Sequence, residues 1–217
     1  MEGRIQIPDQ APVMILDRCN FFPGTPLPLH IFEHRYREML AEALEGGRMF
    51  CLGTRIAPGL EHLPICPTAG IFRHGTLGLV RACVQQEDGT SNLILEGLSR
   101  VQFAEWTQEG PFRIARLEPV DSDLEDQQLV KEGSARVVGL AKRLIAQGVR
   151  TPSDFDLTQV GEVDPHLMGD FVANYLVSEF GIRQTLLAIP SLLDRLDLLA
   201  RAMTAQLEAM GTVEPEN

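Results

Sequence analysis

The feature that most constrains this chain is a rigid stretch, Phe22-Pro-Gly-Thr-Pro-Leu-Pro28, followed closely by an amphipathic segment. Pro23, Pro26 and Pro28 fix their own φ and push each preceding residue into extended backbone. The expected helix therefore begins no earlier than Leu29. From Glu33 the apolar positions Tyr36, Met39, Leu40, Ala43 and Leu44 recur with helical period, and Gly46-Gly47 supplies a stop. A short helix with one buried face is predicted, reached through a loop from Asp17 to Pro28.

On either side of that helix the pattern is that of strands. Pro12-Val-Met-Ile-Leu16 and Arg48-Met-Phe-Cys-Leu-Gly-Thr54 have the length and apolar content of buried strands. Ala57 to Pro67 carries three prolines and a glycine and is predicted to be a loop. Gly75 to Gln86 alternates Leu77, Leu79, Arg81 and Cys83 with Gly78, Val80, Ala82 and Val84, so both faces are mostly apolar. Asp88-Gly89 then favours a hairpin turn, because glycine tolerates positive φ. Ser91 to Glu96 returns, and Gly97 marks a bulge or a close backbone approach before Ser99 to Trp106. Phe112, Ile114 and Leu117 are expected to face inward in a last strand that follows Gly110-Pro111.

After the acidic run Val120 to Asp126 the period changes to helical. Leu129, Val130, Val137, Leu140, Ala141, Leu144 and Ile145 form one stripe ending near Gly148, and Asp164-Pro165 is a start signal for a second. That second stripe, Leu167, Phe171, Val172, Tyr175 and Leu176, is expected to end near Gly181. Pro190 opens a last helix with Leu192, Leu196, Leu199, Met203 and Leu207 along one side. Residues 1–120 are thus expected to form a β-rich unit and residues 121–217 a helical one, with Glu214 to Asn217 as a disordered tail.

Several ordered motifs carry a family resemblance. Phe22-Pro-Gly, Leu27-Pro-Leu-His-Ile-Phe-Glu33, Arg35-Tyr-Arg37, Gly75-Thr-Leu-Gly-Leu-Val80, Asp88-Gly89 and Leu95-Glu-Gly-Leu-Ser-Arg100 resemble, in that order, the N-terminal domain of Lon-type ATP-dependent proteases. In the helical half the match is looser. Asp164-Pro-His-Leu167, Asp170-Phe-Val-Ala173, Arg183-Gln-Thr-Leu-Leu187 and Asp194-Arg-Leu196 are similar to that family's landmarks, with Gly169 and Arg183 departing from the pattern. The resemblance implies an α+β fold: a PUA-like β-barrel with one packed helix, followed by a C-terminal α-helical bundle. It also implies a platform that engages unfolded or client polypeptides. The chain has no Gly-x-x-x-x-Gly-Lys-Ser/Thr sequence and no Ser-Lys proteolytic segment, so a stand-alone, non-catalytic member is expected, acting as an adaptor or regulator with a protease as candidate partner.

Composition narrows the alternatives. The net charge of −11 is shared unevenly, with 14 acidic against 11 basic residues up to Val120 and 16 against 8 beyond it. Such a surface repels phosphate backbones, which weighs against the RNA binding that PUA-like barrels also support. No apolar run approaches the ~20 residues of a membrane helix, and no signal peptide precedes the first strand, so a cytoplasmic chain is expected. Cys19, Cys51, Cys66 and Cys83 form no Cys-x-x-Cys pair and read as reduced, buried thiols. No cofactor is expected.

Four constellations invite chemistry. His30-Ile-Phe-Glu-His34 spells an inverted zinc-protease motif, the basis of an alternative reading as a metal-dependent hydrolase. That chemistry needs both histidines on one helical face, and Pro28 places His30 ahead of the helix. Glu33 is expected in the first helical turn, where its charge suits the dipole. His62 and Cys66, with Cys51 or His74, make only a weak metal set, and the serines lie in no nucleophile elbow. Asp121, Asp123, Glu125 and Asp126 read as a solvated linker. The favoured binding residues are Leu60, Leu63 and Ile65 in the proline-rich loop, with Phe21 and Phe22 as further candidates.

Overall fold

The computed structural model describes residues 6–66, 68–120, 125–152, 157 and 164–211. The chain separates into two compact units, residues 1–120 and 121–217. The first contains β1 (Gln10–Leu16), β2 (Pro26–Ile31), α1 (His34–Glu45), β3 (Met49–Thr54), β4 (Ile65–Cys66), β5 (Ile71–Phe72), β6 (His74–Gln85), β7 (Ser91–Gln108) and β8 (Arg113–Pro119). Six strands form one mixed sheet in the order β2-β7-β6-β3-β1-β8, and β8 also pairs with β7, so the ladder returns on itself. β1 and β3 run parallel, joined by the crossover that carries α1; the other pairings are antiparallel. With the helices, the fold is α+β.

Both faces of the central strands are covered, which explains their near-continuous apolar sequences. On one face Met14, Phe50, Leu52, Val80, Leu93 and Leu95 pack with Tyr36, Met39, Leu40 and Ala43, the stripe anticipated for α1. On the other, Val13, Cys51, Leu77, Val101, Phe103, Ala115 and Leu117 form a second core. The Tyr36 hydroxyl accepts from Ile15 N (3.1 Å) and donates to Ile15 O (3.0 Å), pinning α1 to β1.

Simple alternation fails in β6. Its pairing with β7 shifts register between Leu77 and Gly78 and again between Val80 and Ala82. The extra residue at Arg81 resets the phase, so Val80 and Cys83 both serve the α1-side core while Ala82 and Val84 turn to solvent. Gly78 pairs with Gly97 while Leu77 pairs with Ser99, leaving Leu98 as the bulge expected near Gly97. Asp88-Gly89 closes the hairpin as anticipated, with Gly89 at φ +80° and Gly89 N donating to Gln86 O (3.0 Å).

Two stretches differ from their sequence reading. Pro26 to Ile31 is a strand, β2, rather than a loop. Among the described residues it pairs only with β7, through Leu27↔Leu95 and Leu29↔Leu93 among others, and prolines are tolerated on such an edge because their missing N–H faces no neighbour there. Gly97 N donates to Thr25 O (3.0 Å), which fixes the odd-numbered residues as those bonded to β7. In β8, Ala115 and Leu117 occupy one core while Phe112 and the half-buried Ile114 pack against the other.

In the second unit four helices are described: α2 (Gln127–Ala146), α3 (Pro165–Tyr175), α4 (Phe180–Ala188) and α5 (Leu192–Gly211). The acidic run is partly structural. Asp126 caps α2, accepting from Gln128 N (2.8 Å) and Leu129 N (3.2 Å), and the Glu125 carboxylate accepts from Leu193 N (3.1 Å) at the start of α5. Asp121 and Asp123 lie outside the described residues, as does the tail from Glu214. Asp164 caps α3 through Leu167 N (3.0 Å), as its sequence indicates. The stripe expected to end near Gly181 stops at Tyr175, and a separate helix begins at Phe180. Leu129 and Ile145 are exposed, while Val137, Leu140, Ala141 and Leu144 are buried. Arg195, 4% exposed, donates through Nη1 to Ile189 O (2.9 Å) and Pro190 O (2.7 Å), holding the bend between α4 and α5.

Candidate functional site

The strongest surface feature lies on the outer face of β2, β7 and β6. Directly opposed residues in an antiparallel pair share a face, so the registers define rows across the three strands. One row is Pro28, Ile94 and Ala82; the next is His30, Asn92 and Val84. Phe32, just past β2, stacks on His30 with ring centroids 5.9 Å apart. Phe32 is 62% exposed, Val84 60% and Ile94 36%, three of the large apolar side chains left in solvent, and exposed Pro28 and Ala82 lie between them. The bulge at Arg81 creates this face by turning Val84 outward. Arg81 itself pairs with Glu96 at its border.

The sequence-derived candidates fare unevenly. Leu60, Leu63 and Ile65 are half-buried in a loop ordered by turns: Leu60 N donates to Ala57 O (3.1 Å), Leu63 N to Leu60 O (3.1 Å), and Ile65 pairs with Phe72. Phe21 and Phe22 require correction as contact residues. They are 2% and 0% exposed, because the 19–25 segment is strapped across the sheet by hydrogen bonds from Thr76 Oγ1 to Phe21 O and from Thr25 Oγ1 to Phe22 O (2.8 Å). Their rings fill the interior and cannot touch a partner.

The inverted zinc motif is dispersed over three settings. His30 sits in β2 with Nδ1 2.8 Å from Asn92 Oδ1; Glu33 is the N-cap of α1, where its carboxylate meets Arg35 at 2.7 Å instead of a helix amide; His34 opens α1 and faces Glu38 at 3.4 Å. Among the described residues no group of three or more His, Cys, Asp or Glu side chains is placed to hold a metal ion. His74 is buried, and burial lowers its pKa first, with a hydrogen bond to Gln102 opposing that and Arg73 adding to it. Arg35, Arg55, Arg81 and Arg116 pair with Glu33, Asp17, Glu96 and Glu105, so much of the positive charge in this unit is matched locally.

None of the four cysteines is in a disulfide. Cys51 and Cys66 are buried, and burial pushes both thiols up, with Arg73 partly offsetting the effect at Cys66; Cys19 and Cys83 are half-buried, against the sequence expectation. Because the thiolate is the reactive form, iodoacetamide at pH 7.5 is expected to modify Cys19 and Cys83 first. Mass spectrometry should find Cys51 unmodified until denaturant is added.

The fold and this face define an α+β module with an outward apolar patch across three strands of its sheet. A model of the family described as ATP-dependent protease La (LON) substrate-binding domain matches residues 10–205, and the chain belongs to that family. Among relatives, the Lon protease of Syntrophus aciditrophicus (strain SB) is 25% identical over 207 residues, covering 94% of this chain and 26% of that protein. The Lon protease of Trichlorobacter lovleyi is 28% identical over 213 residues, covering 92% of this chain and 25% of the relative. The chain thus spans about a quarter of the length of these proteases. The N-terminal domain of Mycobacterium avium complex Lon protease shares the fold, with a TM-score of 0.65 at 14% identity over 90% of this chain and 98% of that one. So does a Lon N-terminal domain protein from Xanthomonas campestris, with a TM-score of 0.60 at 19% identity over 88% of this chain and 97% of that one. Among the described residues no helix is long and apolar enough to cross a membrane.

Proposed function

We propose that this chain is a non-catalytic module that binds unfolded polypeptides, its first unit a PUA-like barrel and its second a helical bundle. Membership of a substrate-binding family supports the class of ligand, and the exposed Phe32, Val84 and Ile94 on one sheet face carry the choice of surface. Apolar side chains in one contiguous outward patch lose water when a partner covers them, and an unfolded chain supplies apolar segments without demanding a fixed shape. The module serves as an adaptor or regulator that presents clients to a protease. Leu60, Leu63 and Ile65 form a second, weaker contact in this reading, since each is already half-buried.

The test uses fluorescence anisotropy with a reduced, carbamidomethylated polypeptide that cannot refold. Replacing Phe32, Val84 and Ile94 together by serine is expected to weaken binding at least tenfold, while serines at Leu60, Leu63 and Ile65 weaken it by severalfold or less. Tenfold corresponds to about 1.4 kcal/mol, well within what burial of three apolar side chains provides. Undiminished binding by the first variant removes the sheet face. Cleavage of the probe by the purified chain alone overturns the non-catalytic reading.

A further inference from the structure

A cavity of about 330 Å³ lies between α1 and the β6–β7 hairpin, on the opposite side of those strands from the face just described. Its floor is apolar, built from Leu40, Leu44 and Cys83. Three polar side chains line it without a hydrogen-bond partner among the described residues: the Arg37 guanidinium, the Gln85 amide and the Ser91 hydroxyl. Ser91 is only 5% exposed as a residue, and it lines the cavity at the start of β7.

The position of Arg37 is built into the turn. Its Nη2 lies 2.0 Å from where a Cβ on Gly89 would stand, so the guanidinium rests on bare backbone that any other residue would cover. Glu38 also lines the cavity and Asp88 is near enough to feel the Arg37 charge, but the closest contacts of both lie elsewhere. Asp88 accepts from Thr90 N (2.9 Å) and Thr90 Oγ1 (2.8 Å) within its own turn, and Glu38 faces His34. One cation, one hydroxyl and one amide above an apolar floor suit a singly charged anion on an aliphatic body. A phosphate dianion would find a single guanidinium with Asp88 and Glu38 close by, and the interior of a peptide brings no charge for Arg37 at all.

We propose that this cavity holds the C-terminus of a polypeptide. The free carboxylate sits on Arg37 and Ser91, and the last side chain, an aliphatic one, packs on Leu40, Leu44 and Cys83. The assignment rests on the polypeptide-binding reading and adds to it a preference for chain ends. Bidentate pairing of a guanidinium with a carboxylate supplies the selectivity.

The experiment compares two N-terminally labelled hexapeptides ending in leucine, one with a free carboxylate and one with a C-terminal amide, by fluorescence anisotropy. The intact protein is expected to bind the acid at least tenfold more tightly than the amide. Arg37→Gln, a change at an exposed position, should erase that preference, and Ser91→Ala should weaken the acid severalfold without affecting the amide. Equal affinities for acid and amide, or a preference that survives Arg37→Gln, overturn the proposal. A long unfolded polypeptide with an amidated end separates the two readings. If it still binds when acid preference is absent, the cavity assignment alone fails; if neither it nor the hexapeptides bind, polypeptide recognition fails as well.

Discussion

Phe22→Ala is expected to destabilise the first unit by about 4 kcal/mol, in the range measured for emptying a fully buried phenylalanine site. The ring is 0% exposed, and the backbone around it is fixed by Gly24 N donating to Gly97 O (2.9 Å) and by Thr25 Oγ1 on Phe22 O. So anchored a segment cannot collapse into the space the ring leaves. The fluorescence of Trp106, the chain's one tryptophan, reports this unit during urea unfolding. With a slope of roughly 2 kcal/mol per molar urea, the midpoint should fall by about 2 M. The fraction that remains folded should bind the unfolded probe as tightly as the parent. A variant of normal stability that has lost binding would return Phe22 to the contact surface.

A second large effect is expected at Gly97. A Cβ there would stand 2.2 Å from Phe22 O and 2.8 Å from Phe22 C, both backbone atoms that have no rotamer with which to move aside. Gly97→Ala must therefore push the 19–25 segment off the sheet, at an expected cost of about 3 kcal/mol. Gly139, in the middle of α2, is the matched contrast: a Cβ there meets nothing within 4 Å. Gly139→Ala should stabilise its helix by about 0.5–1 kcal/mol, since alanine has less backbone freedom to lose. Thermal and urea unfolding of both variants measure the contrast. Equal effects at the two positions would show that close approach at Gly97 is not what demands glycine.

Much of the fold was legible because it depended on local chemistry. The α1 stripe, the Asp88-Gly89 turn, the Asp164 cap and the glycine at the β7 bulge each follow from a few neighbouring residues, and the structure places them where the sequence indicates. What was missed depended on partners distant in sequence. The prolines of β2 argue against a strand until its single neighbour is known. Helix α4 was hidden because apolar residues continue across the four-residue break before Phe180. The candidate face was invisible for a third reason. Val84 and Ile94 look like core residues in an alternating strand, and only the insertion at Arg81, seen in the pairing of β6 with β7, turns that stretch of β6 outward. Phe32 lay within the family signature yet gave no sign that its ring would stand in water.

If the chain binds unfolded polypeptides as proposed, the edge strand has a consequence for how it does so. Extended apolar segments add readily to an open strand, and the product of repeated addition is a cross-β fibre. On the free side of β2 the residues that would donate to an incoming strand are Pro26, Pro28 and His30, and two of those three have no N–H to give. A client can rest on the adjoining face through its side chains, but it cannot zip onto the backbone and become a template for the next. Release would then break only side-chain contacts, and a surface proposed to gather aggregation-prone polypeptides would be kept from seeding them.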